Sequence, residues 1–257
     1  MDLMRRINSA APCAGQICLA WLGSAGFLIK NSHGKILAVD PYLSHRSERL
    51  DGNKRLTPPV VEADELRANL YLASHFHSDH LDLDSLPSLM SDGALLYCCT
   101  DSYELCRTEP GIDINRVIPL KTGDCFSSCG FEVEAVFADH GDSAPAALGF
   151  VIETEGIRIY FTGDTSYQSD RMSYISNKNI DILIPPINGE YGNMNERDAA
   201  MLAAQVKAKL TIPCHFWTFA RHQGRPFDFQ TSMLAIAPDC PLYLMAQGEL
   251  IYFPANL

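Results

Sequence analysis

Residues 70–82 read LYLASHFHSDHLD, placing three histidines and two aspartates within the eight positions 75–82, directly after an apolar run. Imidazole nitrogen and carboxylate oxygen are the donors that hold zinc, manganese or iron. In an extended segment His75 and His77, two residues apart, point the same way. Asp79 and His80, one step further round the turn, aim at a second ion. Three more donors stand where other apolar runs end: His140 after FEVEAVFA, Asp164 after IRIYFTG and His215 after KLTIPC. Four strands thus deliver a histidine or aspartate at their C-terminal ends, where a rigid sheet commonly holds its chemistry. The chemistry expected is binding of one or two divalent cations, with the two oxygens of Asp164 able to bridge a pair. Water or hydroxide held between two ions is a nucleophile near neutral pH, because metal binding lowers its pKa from about 16 to about 7. Asp79 is the expected catalytic carboxylate, orienting that nucleophile and accepting its proton.

The elements that must position these groups follow from hydrophobic period and turn residues. Residues 18–30 and 34–43 read as two strands joined by a turn at 31–34, with Pro41 stopping the second. A short helical connection is expected over 62–69, a strand over 70–74 and a helix within 82–91. A further strand follows at 94–100, then a helix capped by Asp101 and running to Arg107. FEVEAVFA alternates with period two, a half-buried strand. Residues 148–164 read as a hairpin turned at Glu155 and Gly156. Strands are also expected over 180–186 and 209–214, and Asn195 with Asp198 reads as a cap opening a helix over 196–209. Sheet-on-sheet packing with helices outside would cover these apolar faces.

Composition is that of a globular chain: 257 residues, 47% hydrophobic and 20% charged. Residues 1–17 read as a short, loose lead and 18–257 as a single domain. The formal net charge of −11 argues against a nucleic-acid surface. The first residues lack the apolar stretch of a signal peptide, and no run approaches a membrane span, so a cytoplasmic protein without membrane contact is expected. Nine cysteines, an odd number with no CxxC, fit free thiols in a reducing compartment. Histidines standing alone (His33, His45 and His222) read as packed or surface residues.

The segment 75–80, His-Phe-His-Ser-Asp-His, is the HxHxDH signature of the metallo-β-lactamase superfamily. WLGSAGFLIK…ILAVDPYLS, YFTGDTSY and IPCHFWTF also resemble that family, over roughly residues 18–250. PPINGEYGNMNERDAA and IPCHFWTFARHQGRPFDF look most like the branch containing the L-ascorbate-6-phosphate lactonase. The resemblance implies an α+β fold, a four-layer αββα sandwich with the metals at one edge of its two sheets. It implies His75, His77 and His140 at one ion, Asp79, His80 and His215 at the other, and Asp164 shared. The superfamily mostly uses Zn2+, and lactonases of this branch use Mn2+. The implied activity is hydrolysis of a small anionic lactone; the branch also forms homo-oligomers.

The loop after His215 carries Trp217, Arg221, His222 and Arg225, and the turn after ILIPP carries Asn188 and Tyr191; these six are the candidate substrate-binding residues. An arginine there would fork onto a substrate phosphate or carboxylate. The rivals are a phosphodiesterase or nuclease of the same fold, and a non-hydrolytic metal-binding scaffold. The chain shows no basic stripe for the first. Against the second, di-iron relatives carry a glutamate where His77 stands.

Overall fold

The computed structural model describes residues 3–255. One sheet is built from β1 (Ile17–Gly23), β2 (Gly26–Lys30), β3 (Ile36–Val39), β4 (Leu70–Ala73), β5 (Leu95–Cys99), β6 (Val117–Leu120) and β13 (Leu250–Phe253), in the order β13-β1-β2-β3-β4-β5-β6. The other comprises β7 (Cys125–Ser128), β8 (Phe131–Phe137), β9 (Leu148–Thr154), β10 (Ile157–Phe161), β11 (Ile182–Ile184) and β12 (Leu210–Thr211), in the order β12-β11-β10-β9-β8-β7.

Period-two alternation sorts the first sheet into two faces. Leu19, Phe27, Ile29, Leu37, Val39, Leu70 and Leu72 join a cluster with Phe131, Val133, Phe150, Ile152 and Ile159 of the second sheet. Their intervening neighbours, Ala20, Leu28, Ala38, Tyr71 and Leu96, join Ile7, Leu86, Leu89 and Cys106 on the opposite side. Those last four lie on or beside the helices α1 (Leu3–Ser9), α3 (Leu86–Leu89) and α4 (Thr100–Thr108). The second sheet is backed by α6 (Glu196–Val206), whose buried Ala199, Ala200 and Ala203 belong to its cluster, and by α7 (Pro226–Ile236), which packs on α6. Two short helices, α2 (Arg46–Asp51) and α5 (Ser169–Met172), complete the set among the described residues. The layers are helix, sheet, sheet, helix, as expected from the resemblance.

Several local expectations change. Residues 18–30 are two strands, because Ser24 takes a left-handed φ of 47° and folds β1 back on β2. Residues 62–69 hold only a turn, since Asn69 bonds the backbone of Ile36 and the amide of Ala68 donates to the Tyr71 hydroxyl, leaving just the bonds from Glu65 N and Leu66 N to Glu62 O. Asp101 sits in the first turn of α4, whose cap is Cys99. Asn195 and Asp198 do form a reciprocal capping box, but α6 stops at Val206 because Lys207 turns left-handed. From Leu3 onward the lead is packed rather than loose: α1 buries Leu3, Met4 and Ile7, and the buried Lys30 ammonium donates to the carbonyls of Ile7, Asn8 and Ala10 at 2.7–2.9 Å. Among the described residues all nine cysteines are free thiols, and no helix is long and apolar enough to cross a membrane.

Candidate metal centre

Strand direction explains why distant donors share one edge. β3 and β4 run parallel, so Asp40 and His75 leave the first sheet at the same end. β8 and β10 both run antiparallel to β9, and β10, β11 and β12 are mutually parallel, so His140, Asp164 and His215 leave the second sheet together. The two edges are stitched by backbone bonds, Leu148 N to Ser74 O at 3.0 Å and His215 N to Ser24 O at 2.8 Å. Gly163 allows this approach: its φ is 62°, and a Cβ there would lie 2.6 Å from the Leu148 carbonyl oxygen.

All seven donors named from the sequence converge. His75 Nε2 lies 2.9 Å from His77 Nδ1, which lies 3.2 Å from His140 Nε2. His80 Nε2 and His215 Nε2 are 3.0 Å apart, and His215 Nε2 is 3.2 Å from Asp79 Oδ2. Asp164 Oδ1 is 3.5 Å from Nε2 of both His80 and His215, while Oδ2 is 3.8 Å from His140 Nε2. The donor sets His75/His77/His140 and Asp79/His80/His215 are therefore each compact, with Asp164 reaching toward both.

These contacts fit cations. One proton can join two imidazole nitrogens but cannot satisfy three converging on a point. Donors about 2 Å from a tetrahedral zinc stand about 3.3 Å from one another, close to the separations found. Protonation follows the same logic. Burial, reinforced by His80, holds His75 and His77 below the usual histidine range, and burial takes His140 down to about 4, so their lone pairs are free. Burial alone would also lower His80, but Asp164, Asp79 and Asp40 outweigh it and push it up. Burial would raise Asp79 and Asp164, yet the surrounding histidines keep both ionised, well below the usual carboxylate range. This excess of fixed negative charge is what a cation would neutralise.

Four supporting residues were not named as site residues from the sequence. Asp40 accepts from His80 Nδ1 at 2.7 Å and from the Ser74 hydroxyl at 2.5 Å, which orients the His80 ring. Asn193 donates to Asp164 Oδ2 at 2.7 Å, and the Ser24 hydroxyl reaches Asp79 Oδ2 at 3.4 Å. Ser24, Asp40 and His215 hold left-handed backbone at φ 47°, 44° and 59°, a conformation few non-glycine residues adopt.

The candidate substrate residues divide. A cleft of about 490 Å³ opens over the donors and is lined by Tyr191 and His222, whose ring packs 4.4 Å from that of His215. His222 is buried, as a packed histidine should be, yet it faces the cleft; His33 and His45 are exposed. Asn188 is buried away from the lining, and Trp217 is 55% exposed outside it. Arg221 and Arg225 are also outside: both are exposed, and Arg225 pairs with Asp228 in the first turn of α7. The loop turns left-handed at His215 and Trp217, which directs His222 inward and carries the arginines outward.

Residues 18–215 match the family described as beta-lactamase superfamily domain. A UPF0173 metal-dependent hydrolase of Polynucleobacter asymbioticus is 29% identical, the match covering 95% of this chain and 89% of the relative. One from Listeria innocua is 31% identical, covering 77% of this chain and 84% of the relative. Among solved structures, the metallo hydrolase Igni18 from Ignicoccus hospitalis shares the fold with a TM-score of 0.71 at 21% identity, covering 93% of this chain and 98% of that one. With residues 18–215 matched, a span that holds the HxHxDH segment and closes on His215, this chain belongs to the beta-lactamase superfamily.

Proposed function

We propose that the protein is a metal-dependent hydrolase of a small carboxylic ester or lactone. The observation that carries this reading is the pair of donor sets sharing Asp164 at the floor of a cleft sized for a small molecule. The relatives described as metal-dependent hydrolases support it. His75, His77 and His140 would hold one divalent ion, and Asp79, His80 and His215 the other, with Asp164 between them. The set contains nitrogen and oxygen donors only, which suits zinc first and manganese second. Such ions supply Lewis acidity toward a carbonyl oxygen and acidify water.

The chain's own groups do the rest. Asp79, kept ionised beside the cleft, would orient the attacking water by accepting its hydrogen bond. Asp40 and Ser74 fix the His80 ring, and Asn193 holds Asp164 in register. The buried Phe219 and His222 limit water on one side of the cleft.

The test begins with elemental analysis of protein purified without added metal, which should find roughly two equivalents of transition metal. A panel of lactones, p-nitrophenyl esters and bis-p-nitrophenyl phosphate follows. Ester or lactone turnover lost on chelation supports the reading. Turnover of the phosphodiester alone, or protein that retains no transition metal when saturated with zinc or manganese, defeats it.

A further inference from the structure

The cleft walls carry a chemical preference. Leu50 on α2 and Leu105 on α4 line it and are 52% and 40% exposed, two leucines from different helices left open to water beside the donors. Phe76, Leu83 and Phe219 continue the apolar lining. Among the described residues Arg46 is the only lysine or arginine in the lining, and its Nη1 is drawn 2.8 Å from Asp84, a carboxylate that also meets Arg49 Nη2 at 2.6 Å. The nearby Arg55 is buried, stacked 4.4 Å over the Tyr42 ring and bonded to the carbonyls of Tyr42, Ser44 and Thr57. The lining also includes Asp51, a carboxylate whose Oδ2 accepts from the Ser78 hydroxyl at 2.9 Å. A remote anion placed against Leu50 and Leu105 would meet apolar side chains and the like charge of Asp51, away from the one guanidinium of the lining, which is held against Asp84.

Resting on the ester or lactone reading above, we infer that the substrate presents an uncharged, apolar group to Leu50 and Leu105 rather than a phosphate or carboxylate. The sequence reading offered Arg221 and Arg225 as the groups to receive the anion of a small lactone, and both lie outside the cleft. Each methylene fully buried on such a wall strengthens binding about fourfold.

Binding and turnover are tested separately. The n-alkyl thiols from ethanethiol to hexanethiol, whose sulfur ligates zinc, are titrated calorimetrically into zinc-loaded protein. Affinity is expected to rise about two- to fourfold per methylene, and 6-mercaptohexanoate, with its terminal carboxylate, should lose most of that gain. Leu50→Asp and Leu105→Asp should each flatten the series while keeping the zinc content and melting temperature of the parent. Should either fail to fold, Leu50→Ser and Leu105→Ser replace them with the same expectation. A flat series in the parent protein, or tighter binding of the carboxylate-terminated thiol, overturns the inference. Protein that shows the chain-length series but cleaves neither p-nitrophenyl hexanoate nor lactones keeps the apolar wall and loses the ester or lactone reading. Protein that cleaves esters with a flat series does the reverse.

Discussion

At the scale of single residues, the site is a set of donors and the groups that aim them. Asp79 is both a member of a donor set and the carboxylate beside the cleft. Asp79→Ala should lower kcat by about a hundredfold or more, with the circular dichroism spectrum unchanged; near-parental turnover would remove it from the chemistry. Asp40 acts at one remove, through the 2.7 Å bond to His80 Nδ1. Asp40→Ala should weaken metal binding about 10- to 100-fold in competition with a chromogenic chelator. The donors were legible in the sequence because each follows an apolar run, and a strand end has a predictable direction. Asp40 was not, because an aspartate between a strand and a proline reads as a turn residue. The arginines were misplaced for a different reason. Nothing in the spacing of HFWTFARHQGR announces left-handed backbone at His215 and Trp217, and that twist decides which side chains face inward.

At the scale of elements, short-range chemistry fixes where the donors emerge. The capping box of α6 was readable because both halves are local: Asn195 Oδ1 accepts from the amides of Arg197 and Asp198. Asn195→Ala should cost about 1 kcal/mol in urea unfolding. The length of α6 was not readable, since Lys207 carries no residue type that marks a left-handed stop. The break between β1 and β2 was hidden in the same way, with Ser24 bending a continuous apolar run. Gly163 combines a left-handed φ with a carbonyl in the space a Cβ needs. Gly163→Ala should destabilise the fold by about 1–3 kcal/mol and lower metal affinity as well, because Asp164 is the next residue. Chemical denaturation and metal titration on the same variant check both halves of that expectation.

At the scale of the whole molecule, the layer order was legible because alternation along each strand sorts side chains into two faces, one toward the other sheet and one toward helices. Which strands neighbour which was less so: β13, from the end of the chain, pairs with β1, and no local signal specifies that partner. The donor sets span the layers. His75, His77, Asp79 and His80 ride on the first sheet, and His140, Asp164 and His215 on the second. Removing metal with a chelator should therefore lower the melting temperature reversibly, consistent with roughly 4 kcal/mol of stabilisation at a free metal concentration a thousandfold above Kd. Differential scanning calorimetry with and without re-added zinc measures it. Each compact set takes two members from one slab and one from the other, so the pair works like a vernier between them. A slip of a single ångström along the buried seam would misalign both sets together. Changes in the packed layer behind the donors, Phe150 or Ile152 for instance, should then surface as leakage of the cation while the chain remains folded.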